Sequence, residues 1–240
     1  MKTIAIIPAR LASTRLPQKM LRLIAGTPLL GHTYHGVRSS PFLDDVIIAT
    51  DSDEIMQLCR SNGWKAQKTL PSHHSGTERV HEVAKTLRAD VFLNVQGDEA
   101  MTRAEHIADL LALMQNPSVQ VGTLKVAAQR EDINNPNAVK VVTDLLGKAL
   151  FFSRATIPFD RDRSGEAQYY KHLGFYAYRK EALERFVSLP ESSLERSERL
   201  EQLRLLENGI PIYVAETKHD AVGVDTEEDL QRVERILRSR

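Results

Sequence analysis

The sequence predicts an α/β fold built on a single doubly wound, mainly parallel sheet, with a smaller mixed β/α insertion between about residues 130 and 190. Two patterns predict the sheet. Short aliphatic and β-branched runs lack polar alternation, as strands covered on both faces require, and longer segments of helical spacing lie between them. A third pattern predicts the insertion: after about residue 127 strands follow one another through short turns and charged, aperiodic chain. The length suits one core, so residues 1–240 are read as one domain.

In chain order, Thr3 to Ile7 is the first strand. Ala25 to Val37 opens on Gly-Thr-Pro and continues with helical spacing, and proline is suited to a first helical turn. Val46 to Thr50 and Val91 to Val95 are strands, Asp53 to Asn62 and Thr77 to Leu87 helices, and Arg103 to Gln115 a helix leading into the strand Val119 to Val126. Val139 to Thr143 and Ala149 to Ser153 form a hairpin that turns at Leu145, Leu146 and Gly147, and the charged stretch from Ile157 to Gln168 is a loop. His172 to Tyr178 is a strand, Lys180 to Val187 and Glu195 to Glu207 are helices, and Ile210 to Val214 is a strand. The helix Thr226 to Arg238 carries Glu227, Glu228 and Asp229 in its first turn, where the helix dipole favours acids.

Composition excludes several classes. With 32 basic and 32 acidic residues the formal charge is zero, which argues against a nucleic-acid or anionic-membrane partner and requires any anion site to be local. One cysteine, Cys59, rules out an intramolecular disulfide and fits a reducing compartment. The apolar run at the N-terminus is too short for a signal peptide or a membrane span, so a soluble, cytoplasmic protein is expected.

Doubly wound sheets bind ligands beyond the carboxyl ends of their strands, so the polar residues that follow strands carry the chemistry. The first strand runs into Pro8-Ala9-Arg10-Leu11-Ala12-Ser13-Thr14-Arg15-Leu16-Pro17-Gln18-Lys19, where three cations and two hydroxyls can converge on a polyphosphate. Neither a Walker loop nor a dinucleotide glycine turn is present. Asp98 follows an apolar strand and Gly97, which leaves its carboxylate uncrowded. Asp225 ends another short apolar run immediately before a helix and suits either a metal ligand or a helix N-cap. Paired with triphosphate oxygens, two carboxylates suit Mg²⁺.

The opening loop resembles the signature of the sugar-activating nucleotidyltransferases, and its wording is similar to that of the CMP-Kdo synthetase (3-deoxy-manno-octulosonate cytidylyltransferase) family. Similar blocks follow at Ala49-Thr50-Asp51, Ser75-Gly76-Thr77-Glu78-Arg79, Asn94-Val95-Gln96-Gly97-Asp98-Glu99 and Asn135-Pro136-Asn137-Ala138-Val139-Lys140. Phe152 to Pro158, Lys171 to Gly174, Leu200 to Arg204 and Gly223 to Thr226 complete the series. The resemblance implies an enzyme that transfers CMP from CTP to the anomeric 2-hydroxyl of the acidic eight-carbon sugar Kdo. The products would be CMP-Kdo, for lipopolysaccharide biosynthesis, and pyrophosphate. It further implies Mg²⁺ as cofactor, held by Asp98 and Asp225, with Arg10 and Lys19 as the other catalytic groups. Pro8, Ala9, Arg10, Ser13, Arg15, Lys19, Ser75, Gly76, Gln96 and Asp98 would bind the nucleotide. Gln96, Arg154, His172, Tyr176, Glu201 and Gln202 would bind the sugar. The insertion would serve sugar binding and homodimerisation, the latter through aromatics such as Phe151, Phe152, Phe159, Tyr169 and Tyr170, which could instead complete the monomer's core.

Two departures bear on the sugar. Better-known members read Leu-Pro-Gly-Lys-Pro where this chain has Leu16-Pro17-Gln18-Lys19-Met20, and Gln-Gly-Asp-Glu-Pro where it has Gln96-Gly97-Asp98-Glu99-Ala100. An amino-substituted Kdo or a sialic-acid-like sugar is the alternative substrate, and a non-catalytic nucleotide-binding regulator is the alternative from another class.

Overall fold

The strand β1 (Thr3–Ala9) is buried along its whole length, which explains why its sequence has no polar alternation. The computed structural model describes residues 1–13 and 15–238, and the chain divides into two units, 1–108 with 221–240 and 109–220. In the first unit β1 is followed by the short hairpin β2 (Leu23–Ile24) and β3 (Thr27–Pro28), then α1 (Leu29–Arg38) and β4 (Asp45–Thr50). Next come α2 (Asp53–Asn62), β5 (Ala66–Lys68), α3 (Gly76–Lys85) and β6 (Val91–Val95), before α4 (Ala104–Met114) carries the chain out of the unit. The strands lie in the order β6-β1-β4-β5, all parallel, with α3 packed on β1, β4 and β6.

The second unit contains β7 (Val121–Ala127), α5 (Arg130–Ile133), β8 (Lys140–Thr143), β9 (Ala149–Ser153), β10 (Tyr170–Arg179), α6 (Lys180–Ser188), α7 (Ser193–Glu198), α8 (Leu203–Glu207) and β11 (Tyr213–Glu216). Here β7 pairs parallel with β11 and antiparallel with β10, while β8 and β9 form the expected hairpin and β8 meets β10 at Lys140 and Lys171. The chain then returns to the first unit as α9 (Glu227–Arg238).

Four expectations are corrected. The helix expected from Ala25 begins at Leu29, because Ala25 and Gly26, at φ 48° and 85°, form the two-residue turn of the β2–β3 hairpin. The helix expected from Thr77 to Leu87 is α3, which begins at Gly76 because Ser75 caps it, its hydroxyl accepting from Glu78 N. The helix expected from Glu195 to Glu207 is two helices. Arg199 takes a left-handed conformation, φ 54°, and the turn after it brings Arg204 back to pair with Glu195 at 2.5 Å. The strand expected from Ile210 starts at Tyr213: Ile210 and Ile212 are buried but lie before the ladder, which opens at Gly122 and Tyr213.

Of the aromatics in the insertion, Phe152 is fully buried whereas Phe159 is exposed, together with Leu145, Leu146 and Leu150 of the β8–β9 hairpin. Among the described residues, no helix is long and apolar enough to cross a membrane.

Candidate active site

The chain leaves β1 toward β4 and β5 and later adds β6 on the other side of β1, so the strand order reverses between β1 and β6. A crevice beyond the carboxyl ends of two such strands is the usual ligand site, and there the chain places Ala9-Arg10 and Gln96-Gly97-Asp98. The two ends are tied: Gly97 N donates to Pro8 O at 3.3 Å, and Thr33 Oγ1 donates to Gly97 O at 2.9 Å. A Cβ on residue 97 would lie 3.0 Å from both Pro8 O and Met20 Sδ, so the close approach favours glycine. Ala100 stands where proline was expected by resemblance, and its N–H donates to Asp98 O at 3.0 Å, a bond proline could not make.

Asp225 arrives from the other end of the sequence. Val224 N donates to Asp98 O at 3.1 Å, and Val224, Leu230 and Val233 are buried with Leu16, Ile24, Ala100 and Met101. The capping of α9 falls to Thr226, whose hydroxyl accepts from Asp229 N while the Asp229 carboxylate accepts from Thr226 N. That leaves the Asp225 carboxylate available for other partners.

Those partners are cations. Lys19 Nζ donates to Asp98 Oδ2 at 2.6 Å and to Asp225 Oδ1 at 2.8 Å, and Arg15 Nη2 donates to Asp225 Oδ2 at 2.8 Å. Burial alone would push the Lys19 pKa down, but the carboxylates of Asp98 and Asp225 outweigh it and raise the pKa above the usual lysine value. Burial likewise disfavours the Asp225 carboxylate, and Lys19 with Arg15 reverses this and lowers its pKa. The donor chemistry fits Mg²⁺: two carboxylates, hard oxygen donors, already converge on one cationic centre. Among the described residues no cluster of three or more His, Cys, Asp or Glu could hold a metal unaided, so substrate oxygens would have to complete the coordination.

A cavity of about 530 Å³ lies over this trio. Except for Ala12 and Met20, every residue lining it is one the sequence nominates, from Pro8, Arg10, Ser13 and Arg15 to Gly76 and Gln96. Arg10 Nη2 is buried there with no hydrogen-bond partner among the described residues, an open donor for an anion. Ser13 Oγ accepts from Leu16 N at 3.4 Å, and Gln96 Nε2 donates to Asn94 Oδ1 at 3.1 Å. Ala9 is fully buried in β1 and Ser75 caps α3, so neither lines the cavity. Thr14 lies outside the described residues. Gln18 adopts φ 53°, which shows how the loop accommodates glutamine at the family's glycine position: the side chain is carried in left-handed backbone.

Arg79, in the sequence only one letter of the Ser75–Arg79 block, is a further charged residue of this unit's interior. Its guanidinium is fully buried, donates to Thr69 Oγ1 and pairs with Asp51 at 3.3 Å. Desolvation lowers its pKa, Asp51 opposes that, and Arg10 is near enough to add repulsion. An arginine one turn inside a helix, between buried Thr77 and Val80, is the signal that could have found it.

The second unit holds the remaining candidates. His172 and Tyr176 lie on either side of an irregularity in β10, with ring centroids 5.4 Å apart, and Phe152 meets the His172 ring edge-on at 5.0 Å. Burial pushes the His172 pKa down to about 3. The Tyr176 hydroxyl is buried with no hydrogen-bond partner among the described residues, and burial, then Glu201, raises its pKa well above the usual phenol value. Glu201 and buried Gln202 sit in the turn between α7 and α8. Arg154 follows β9, and its guanidinium donates to the carbonyls of Glu198 at 2.7 Å, Pro136 at 2.9 Å and Arg199 at 3.4 Å. Of the five N–H donors of a guanidinium, two have no partner among the described residues and remain for an anion.

Comparison with known proteins places this geometry in context. A family model described as Cytidylyltransferase matches residues 4–217. The chain is 63% identical over 239 residues to the 3-deoxy-manno-octulosonate cytidylyltransferase of Koribacter versatilis (strain Ellin345), covering 100% of this chain and 91% of that protein. It is 54% identical over 240 residues to the same-named protein of Acidobacterium capsulatum, covering 100% and 98%. Among solved structures, CMP:2-keto-3-deoxy-manno-octonic acid synthetase complexed with CTP superposes with a TM-score of 0.94 at 38% identity, covering 100% of this chain and 99% of that one.

Proposed function

Because the chain belongs to the cytidylyltransferase family, and within it to the 3-deoxy-manno-octulosonate cytidylyltransferases, we propose that it transfers CMP from CTP to the anomeric 2-hydroxyl of Kdo. The observation that carries this reading is the convergence of Asp98 and Asp225 on Lys19 beneath a cavity whose rim supplies Arg10 and Arg15.

The sugar hydroxyl oxygen bonds to the α-phosphorus, the bond from that phosphorus to the bridging oxygen breaks, pyrophosphate leaves with the electron pair, and the hydroxyl proton passes to solvent. Every participant is anionic, so the protein's task is to neutralise and align them. Arg10 offers its unpartnered Nη2 to a phosphate oxygen. Lys19 and Arg15, now on carboxylates, exchange those partners for phosphate oxygens as the triphosphate enters, and the departing pyrophosphate takes their charge. The carboxylates thereby released, Asp98 and Asp225, are the groups that would hold Mg²⁺. When bound, that ion supplies charge neutralisation at the α-phosphate and acidifies the attacking hydroxyl. The two uncommitted N–H groups of Arg154 receive the sugar carboxylate, and Tyr176, Glu201 and Gln202 supply hydroxyl partners.

The same reading includes a homodimer, supported by the apolar side chains Leu145, Leu146 and Leu150 left exposed on one hairpin, and a cytoplasmic location, supported by a lone buried thiol. Sedimentation at micromolar concentration tests the dimer. Pyrophosphate release tests the activity: turnover with CTP and Kdo, loss with EDTA and recovery with magnesium are expected, with N-acetylneuraminate a poor competitor. Undiminished turnover in EDTA would remove the metal from the proposal, and preference for N-acetylneuraminate would replace the sugar.

A further inference from the structure

Lys140 has no exposed surface, and its ammonium lies among backbone carbonyls: Nζ donates to Asn135 O at 2.8 Å, Ala138 O at 2.6 Å and Arg154 O at 2.8 Å. A buried ammonium is costly to maintain, and an apolar side chain of the same length would fill the space without that cost. Burial accordingly lowers its pKa, with Asp132 and Glu198 opposing and Arg154 adding to the effect. The placement therefore calls for a reason beyond packing.

The reason is visible at Arg154. Its peptide N–H donates to Glu198 Oε2 at 2.9 Å while its carbonyl accepts from Lys140, so both backbone polar groups of this one residue are held by ionic side chains of opposite sign. Glu198 is fixed in turn by Ser153 Oγ at 2.6 Å. Lys140 also grips the loop 135–138 at Asn135 and Ala138, and the Arg154 guanidinium grips the same loop at Pro136. The backbone that carries Arg154 and the loop that orients its guanidinium are thus clamped by one ammonium.

We propose that Lys140 is a positioning residue for the acid sugar: by fixing the carbonyls of Asn135, Ala138 and Arg154 it sets the direction of the two uncommitted Arg154 N–H groups, and so governs affinity for the sugar carboxylate without governing affinity for CTP. This inference rests on the function proposed above. Lysine is required because three donors must diverge from one atom at the end of a flexible stem, which the planar fork of arginine cannot reproduce in the same volume.

The test is steady-state kinetics of the purified full chain, comparing the wild type with Lys140→Met, which keeps the stem and removes the donors, and Lys140→Gln, which restores two donors. For Lys140→Met the KM for Kdo should rise about tenfold or more while the KM for CTP stays within about twofold, as expected when a charged hydrogen-bonding arrangement worth 1.4 kcal/mol or more is lost. Lys140→Gln should fall between it and the wild type. A purely structural role would lower the active fraction, and hence apparent kcat, with both KM values unchanged. That pattern overturns the proposal, as does a parallel rise in both KM values or the failure of both variants to fold. Wild-type turnover with Kdo is the separate control: its absence would reject the proposed function itself, whereas wild-type turnover with an unaltered variant rejects only the role of Lys140.

Discussion

The two units hold the charges at their candidate sites by different means. In the first, Lys19 and Arg15 are neutralised by Asp98 and Asp225, side chain against side chain, at the edge of a cavity. In the second, Lys140 and Arg154 are held by backbone carbonyls, and His172 and Tyr176 by a row of rings. An ion pair between mobile side chains can be exchanged when a polyanion arrives, since phosphate oxygens replace carboxylate oxygens at little cost. A carbonyl buried behind a protein donor has no such substitute and keeps its partner. The first arrangement is suited to a substrate whose charge must be redistributed during reaction, and the second to one whose hydroxyls need a fixed frame.

The comparison breaks most visibly at Asp98. Asp98→Asn keeps the shape and leaves Lys19 its bond to Asp225, so the fold should survive with a melting temperature close to the wild type. Turnover should nevertheless fall at least about a hundredfold, because a charged group is lost where charge develops in the transition state. Initial rates with saturating CTP and Kdo decide the matter. A turnover near that of the wild type would mean that the trio is a structural ion cluster and that exchange of partners plays no part in the chemistry.

Tyr176→Phe probes the fixed frame. The hydroxyl has no hydrogen-bond partner where it is buried, so removing it should leave thermal stability unchanged or raise it by about 1 kcal/mol. The KM for Kdo should rise about tenfold, the value of one hydrogen bond to a polar ligand. A fall in melting temperature would show that the hydroxyl supports the fold, and the contrast between the units would weaken.

How much of this was legible beforehand follows the same division. Asp98 and Asp225 could be read from the sequence because each carboxylate ends an apolar run, and an apolar run marks a strand or core segment whose end is fixed. The parallel sheet of the first unit was legible for the same reason. Lys140 was not, since in Val139-Lys140-Val141-Val142 it looks like the solvent-facing residue of an alternating strand, and the carbonyls that capture it leave no trace in side-chain identity. The break between α7 and α8 was hidden too: Glu195 to Glu207 has helical spacing throughout, and the left-handed turn at Arg199 is imposed by tertiary pairing of Arg204 with Glu195. The hairpin turn at Ala25-Gly26 is hidden because Thr27-Pro28 suits a helix start equally well.

A smaller effect distinguishes the units by pH. Thr123 Oγ1 lies 2.9 Å from His172 Nε2 and donates its proton to Phe175 O at 2.7 Å, so the neutral imidazole carries its hydrogen on Nε2. With a folded pKa of about 3 against an ordinary 6.5, the unfolded chain binds the extra proton between those values. Stability is therefore complete above pH 6.5 and declines as pH falls toward 3, by an amount reduced because the side chain keeps partial contact with solvent. His172→Gln should lose less stability between pH 7 and pH 5 than the wild type does, measured as the shift in urea midpoint. Equal losses would assign the acid sensitivity elsewhere.

The smallest effect concerns the loop that bears Lys19. Gln18 sits at φ 53° and ψ 32°, where a side chain costs about 1–2 kcal/mol, while glycine would be free of that strain but would lose about 0.5–1 kcal/mol of backbone entropy on folding. Gln18→Gly should therefore gain only about 0.5 kcal/mol, a rise of about 1–2 °C in melting temperature. Because the backbone already follows the path glycine would choose, the KM for CTP should change less than about twofold. Calorimetry and CTP kinetics on the one variant separate the two possibilities. A larger shift in KM would mean that the glutamine side chain itself takes part in holding the loop, and that the exchangeable charges of the first unit depend on a fixed element after all.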